Sequence, residues 1–315
     1  MKSLLLAAGA LAAVPALAQT TTQKPPVPSP GEIVAAAPTS EWVRIAAEDL
    51  IVMDLAPDRE GKARRVVIQL MPAPFSQPWI ANIRTLAKAH WWDGLAIVRA
   101  QDNYVGQWGD PDGEDAAKAR TLPDLRATSE DDYVVPGDAK GWQRFKAVLV
   151  PRGSFGPEGY TAFESGWPVA GEGGPDWARR WPVHCYGMVG VGRNNSPDAG
   201  TGAELYTVIG HAPRHLDRNI ALVGRVIEGI EHLSTLPRGT EALGFYKTPE
   251  QRTEIASIRV GSDMAGLPTY QYLSTDGDSF ARYADARANR RDPFFIRPAG
   301  GADVCNIPVP VRRAP

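Results

Sequence analysis

Apolar residues arrive in short runs, separated by turn formers, along most of the chain. Residues 42–55 (WVRIAAEDLIVMDL) are strand-like, most strongly at 50–53, and residues 66–70 (VVIQL) form a second run. The charged stretch 59–65 between them holds Gly61, which suits a hairpin turn, so the chain is predicted to open on a β-hairpin. Pro72, Pro74 and Pro78 then break the pattern. Over residues 79–90 the apolar positions Trp79, Ile80, Ile83, Leu86 and Ala87 recur at helical spacing, with Ser76 as the expected N-cap.

Residues 91–111 (WWDGLAIVRAQDNYVGQWGDP) carry the densest chemistry. Asp93-Gly94 signals a turn, and Leu95 to Val98 form an apolar run that reads as a buried strand. Arg99 follows directly, then Tyr104, Val105 and Gln107, before Gly109-Asp110-Pro111 closes the stretch with another turn. Alternation along an extended segment puts Val105 and Gln107 on one face and Tyr104 on the other, so a bend is needed to bring them together. On spacing alone, a strand-turn-strand with a surface arginine accounts for the stretch as well as a site does.

Residues 112–182 are weakly patterned, with candidate elements at 121–126, 141–150 (a strand at 145–150) and 160–163. A structureless loop of that length is improbable inside a compact domain, so an ordered insertion beside the face that carries Arg99 is expected, with a mobile one as the alternative. Beyond it, 184–191 and 203–209 read as strands, 228–236 as a short helix and 255–260 as a last strand. Residues 262–315 hold apolar islands at 270–272 and 294–296 and a possible helix over 279–291. Residues 19–40, rich in Thr, Pro and Ala, read as a flexible linker.

The order aromatic-aromatic-Asp-Gly, apolar run, Arg, four residues, aromatic, apolar, one residue, Gln, one residue, Gly-Asp-Pro resembles the central signature of the cyclophilin-type peptidyl-prolyl cis-trans isomerases. A second block follows in the family's order. Gly202-Ala203-Glu204-Leu205-Tyr206 resembles its Gly-Ser-Gln-Phe-Phe segment, and His215-Leu216-Asp217 an aromatic-Leu-Asp element. Residues 221–230 resemble its Val-Phe-Gly-x-Val-x-x-Gly strand and helix start, and Asn82 its helix asparagine. The resemblance covers roughly 66–107 and 184–260.

That resemblance implies a mainly β fold: a closed antiparallel β-barrel capped by helices, here with a long insertion and a C-terminal extension. It divides the chain into a cyclophilin-like domain over 41–262, interrupted at 112–182, and an extension over 263–315. It implies rotation about X–Pro bonds, with Arg99 as the catalytic arginine and Gln107 holding substrate and arginine. Tyr104, Val105, Glu204, Tyr206, His215 and Leu216 are the implied substrate-binding residues. Tyr104 and Tyr206 stand where Phe is usual, Val105 where Met is, Glu204 where Gln is, and His215 where Trp is common. Ile220 falls where a His often lines the pocket, and Val189-Gly190 at an Ala-Asn pair whose backbone grips the peptide. The alternative is a catalytically weak peptide-binding or chaperone module on the same fold.

Composition narrows the rest. The 315 residues are 43% hydrophobic and 22% charged, with 31 Gly and 28 Pro, which favours turns over a helical bundle. A net charge of −2 implies no nucleic-acid partner. Residues 1–18 (MKSLLLAAGALAAVPALA) have a basic start, an apolar run too short to span a bilayer and a small-residue end, and read as a signal peptide cut before Gln19. A periplasmic or secreted monomer with no membrane span in its mature chain is therefore expected, acting on proline-containing polypeptides. Cys185 and Cys305 allow one disulfide, tying the tail to the core, or two free thiols. The five histidines show no metal-ligand spacing, and no cofactor motif is complete. Trp142, Trp167, Trp177 and Trp181 read as packing residues, with a carbohydrate or peptide surface as the alternative.

Overall fold

A computed structural model describes residues 27–136, 160–172 and 179–315. The expected signal peptide, the strand expected at 145–150, Trp142 and Trp177 lie outside these. The chain enters through helix α1 (Pro30–Ala35) and strand β1 (Trp42–Arg44). Ser29 caps α1 in a capping box with Glu32, and Ile33 is buried. The flexible-linker expectation for 19–40 therefore fails from Ser29 onward. The Pro-rich composition concealed a Ser-Pro-x-Glu helix start.

The opening hairpin forms as expected from β2 (Leu50–Leu55) and β3 (Arg64–Leu70), paired antiparallel from Leu50↔Gln69 to Leu55↔Arg64. Helix α2 (Gln77–Lys88) follows and buries Trp79, Ile80, Ile83, Leu86 and Ala87, the stripe legible in the sequence. Ser76 occupies its N-cap position at φ 52° without a capping hydrogen bond, so Pro78 in the first turn starts the helix instead.

The barrel continues with β4 (Ala96–Ala100) and β5 (Val105–Gly109). The insertion follows: a long loop, then β6 (Val135–Pro136), β7 (Tyr160–Glu164), β8 (Trp167–Glu172) and β9 (Arg179–Pro182). These four strands form their own antiparallel sheet in the order β6-β9-β8-β7. The expected element at 160–163 is β7, whereas 121–126 carries no strand or helix. Then come β10 (Met188–Val191), β11 (Leu205–Val208), β12 (Leu222–Glu228), short helix α3 (Glu231–Ser234) and β13 (Thr253–Val260).

Eight of these strands close a barrel in the order β10-β11-β5-β4-β13-β2-β3-β12, with β12 pairing back to β10. Closure leaves the barrel no free sheet edge, and α2 covers its apolar interior. The extension supplies β14 (Tyr270–Leu273), α4 (Asp278–Ala288) and β15 (Val311–Arg313). Strand β14 pairs with β1 on one side and β15 on the other, and α4 packs on α1. The residues before the barrel thus fold together with those after it.

One buried arginine joins barrel, insertion sheet and extension. Arg225 on β12 donates to Gln69 Oε1 at 2.9 and 2.7 Å and to the Gly166 carbonyl at 2.7 Å. Its guanidinium lies 4.4 Å from the Trp167 ring and 5.8 Å from Tyr272. Burial lowers its pKa to about 10, and these acceptors and ring faces keep the cation solvated. Phe163 meets Phe280 edge-on at 4.9 Å, and the Cys185–Cys305 disulfide forms. Trp167 and Trp181 are buried, so packing accounts for both.

Candidate active site

The bend required of residues 91–111 is made by the register of the barrel. Strands β4 and β5 pair with a shift between Ile97 and Arg99, which turns Arg99 toward Gln107 across the ladder. On the other side of β5, Gln107 pairs with Tyr206 of β11. Three strands thereby bring Arg99, Gln107 and Tyr206 together although 107 positions separate the first from the last.

These residues line a cavity of about 730 Å³ that also takes in Tyr104, Val105, Leu216 and Ile220. Val105, Tyr206 and Val208 form its buried apolar cluster, with Tyr104, Leu216 and Ile220 packed against it. Glu204 lines the same cavity. His215 does not. It is exposed and stacks on Tyr104 at 6.1 Å. Val189 and Gly190 also stand outside the wall, where Gly192 contributes instead.

Arg99 is fixed on three sides. Its Nε donates to the Leu243 carbonyl at 2.6 Å, Nη1 to Gln107 Oε1 at 3.1 Å, and Nη2 to Gln101 Oε1. The guanidinium lies 5.6 Å from the Tyr104 ring centre and 5.4 Å from Phe245. Partial burial lowers its pKa, offset by Tyr104 and Tyr206, and an arginine in such a setting stays charged. Burial raises the phenol pKa of Tyr104, so that ring is neutral at physiological pH.

The Tyr206 hydroxyl turns away from the pocket. It meets His184 Nε2 at 2.9 Å, and His184 Nδ1 meets Asp217 Oδ1 at 2.8 Å. The carboxylate accepts only, which assigns the imidazole proton to Nδ1 and leaves Nε2 to accept from the phenol. Arg214 Nε donates to Asp217 Oδ2 at 2.6 Å. The hydroxyl's space comes from Gly190, where a Cβ would lie 2.3 Å from it. Tyr for Phe and Gly for Asn are thus one coupled change, and the pocket keeps an aromatic wall.

Two further segments line the site without having been named residue by residue in the sequence reading, the second of them at the start of the expected insertion. The loop carrying Leu243 and Phe245 closes over Arg99, and Arg99 bridges Phe245 backbone to backbone. Gly244 permits this approach: its φ is +79°, and a Cβ there would sit 2.7 Å from the Gln101 Cα. A Leu-Gly-Phe inside an otherwise polar stretch was the available signal. The second segment is the loop after β5, from Asp110 to Leu122, which lines the far end of the cavity. Asn82 of α2 holds its continuation by accepting from the Arg126 amide at 2.8 Å and donating to the Arg126 and Thr201 carbonyls. Among the described residues no cluster of metal-ligating side chains occurs.

Comparison with known proteins bears on the fold and the family. The family described as "Cyclophilin type peptidyl-prolyl cis-trans isomerase/CLD" matches residues 61–260. A crystal structure of a cyclophilin from Hirschia baltica superposes with a TM-score of 0.63 at 23% identity, covering 86% of this chain and 92% of that one. A cyclophilin-type isomerase from Cryptosporidium parvum aligns at TM-score 0.39 and 12% identity, covering 67% of this chain and 97% of that one. No curated protein matches the chain by sequence. With a family match spanning seven of the eight barrel strands and both signature blocks, the chain belongs to the cyclophilin-type peptidyl-prolyl cis-trans isomerase family.

Proposed function

We propose that the protein accelerates cis-trans rotation about X–Pro bonds in exported polypeptides, with Arg99 stabilising the twisted amide. The barrier is about 18–20 kcal/mol because the amide is conjugated, and lowering it needs no nucleophile or cofactor. It needs a site that binds the twisted form better than either planar form. As the bond twists, the prolyl nitrogen becomes pyramidal and regains a lone pair. A fixed guanidinium beside an apolar ring pocket stabilises that lone pair without reorganising.

The observation that carries this reading is Arg99 held by Leu243, Gln101 and Gln107 at the wall of a cavity whose apolar surface comes from Val105, Tyr206 and Leu216. In this reading Gln107 steadies the arginine and the substrate backbone, Tyr104 and Tyr206 flank the proline ring, and Leu216 floors the pocket. Residues 1–18 act as a leader that delivers the chain to the periplasm or the medium. The Cys185–Cys305 disulfide supports that compartment, since such bonds persist where conditions are oxidising.

A second reading is a peptide-binding or chaperone module with weak catalysis. Ile220 lining the cavity where the family often has a His favours it. One experiment separates the two. Exchange in a proline tetrapeptide is measured with the wild type and Arg99→Ala. Acceleration that falls by on the order of 100-fold in the variant supports the isomerase. No acceleration by the wild type ends that reading, and peptide binding that survives Arg99→Ala supports the module.

A further inference from the structure

Glu204 is a carboxylate beside Gln107, the amide that holds Arg99. It lines the cavity, and its own space is provided by backbone: a Cβ at Gly109 would come within 2.0 Å of Glu204 Oε1. The Asp110 N–H donates to Oε1 at 2.8 Å. Gln107 Nε2 and the Glu204 side chain lie side by side at Gly192, where a Cβ would meet them at 3.4 and 2.9 Å. Gln107 Oε1 in turn accepts from Arg99 Nη1 at 3.1 Å. A guanidinium can only donate and a carboxylate can only accept. An amide between them satisfies both in a single orientation, NH2 toward Glu204 and oxygen toward Arg99.

We propose that ionised Glu204 is a positioning residue: it fixes the Gln107 amide in one orientation and thereby sets the Arg99 guanidinium. This rests on the isomerase reading above. A glutamine at 204, usual in the family, both donates and accepts, so it holds Gln107 in either orientation. Protonated Glu204 loses the same selectivity, because its O–H competes for Gln107 Oε1. The amide turned over would set its NH2 against the guanidinium.

Protonation lies within reach. Burial raises the Glu204 carboxyl to about 7, against the lowering effect of the Asp110 and Gln107 hydrogen bonds, and Asp110 and Glu114 add to the rise. The sign follows: the Glu204-Gln107-Arg99 relay is intact above about pH 7 and is lost as pH falls through it. The charged groups sharing this end of the cavity are Asp110, Glu114 and Arg120 on the loop after β5, and Arg193 and Asp198 on the loop after β10. His215 and His184 are the imidazoles beside the pocket, on Tyr104 and behind Tyr206. A pH effect is therefore assigned by the Glu204→Gln variant and not by the wild-type profile alone.

The test has two readouts. The first is the turnover of a proline peptide from about pH 5 to about pH 9. The wild type is expected to lose about tenfold in kcat between about pH 8 and about pH 6, with KM changed less than about twofold. Glu204→Gln is expected to flatten that profile, and Glu204→Asp, which keeps an acceptor-only group, to retain an inflection. The second readout is NMR of the Gln107 side-chain amide and the Arg99 Nε–H in the substrate-free protein, which needs no turnover. Both signals should move together with a midpoint of about 7 in the wild type and stay still in Glu204→Gln. An inflection surviving unchanged in Glu204→Gln overturns the proposal, as do Gln107 and Arg99 signals that ignore pH. Absence of turnover at every pH defeats the isomerase reading instead, and the NMR titration still decides the role of Glu204.

Discussion

At the scale of single residues, the pocket is a set of paired compromises. Tyr206 carries a hydroxyl that a pocket aromatic does not need. That hydroxyl is stabilised by His184, whose proton is held by Asp217, and is accommodated by the bare Gly190. The pairing is testable as a double-mutant cycle. Gly190→Asn alone should cost about 1–3 kcal/mol by overpacking. Tyr206→Phe alone should cost about 1–3 kcal/mol, because it leaves a buried imidazole nitrogen unpaired. Together they should cost less than the two losses added, by roughly 1 kcal/mol or more in chemical denaturation, because a ring without the hydroxyl is no longer tethered to His184 against position 190. Strict additivity would show the two sites to be independent. The sequence displayed both substitutions but not their link, since nothing in the spacing of 184, 190, 206 and 217 announces that these side chains meet.

At the scale of elements, the barrel supplies the rigidity and the loops supply the closure. Arg99 and Gln107 sit on adjacent strands, yet the acceptor for Arg99 Nε comes from the loop between α3 and β13, 144 positions away. Gly244 is what lets that loop lie against β4. Gly244→Ala should lift Leu243 from Arg99 and lower kcat/KM about tenfold, while shifting stability by only about 1 kcal/mol. Peptide kinetics alongside a thermal melt check this, and unchanged kinetics would mean that the Leu243 contact is dispensable. Strands β2, β3, β4 and β13 were readable from apolar runs and turn formers, because those signals are local. The sheet of the insertion was not: only β7 stood out, since β8 and β9 carry Pro168, Gly171 and Pro182, which read as breakers.

At the scale of the whole molecule, the extension is fastened at both ends of its length. Strand β14 lies between β1 and β15, Arg225 reaches from the barrel to Gly166 and Tyr272, and Cys305 is bonded to Cys185 across 120 positions. Replacing both cysteines by serine should cost about 2–4 kcal/mol in denaturant unfolding. It should also raise protease sensitivity within 263–315, since the tail then depends on β15 and the packing of α4 alone. An unchanged midpoint would show that the bond adds nothing to that packing.

The sequence by itself determined the β-hairpin start, the α2 stripe and the two signature blocks. Alternation, helical spacing and turn residues are properties of neighbours, and they persist whatever the rest of the chain does. It also singled out Arg99, Tyr104 and Gln107, through the resemblance of both blocks to the family's signature and not through their spacing alone. Only the tertiary structure decided the remainder: that Cys185 meets Cys305, that His215 stacks on Tyr104, that Leu243 holds Arg99, and that the Asp110 amide meets the Glu204 carboxylate. Those contacts join residues far apart in the chain, made by strand register and loop closure. A contact of that kind leaves no periodic mark on either partner's surroundings, so it becomes visible only once the barrel has brought the strands together.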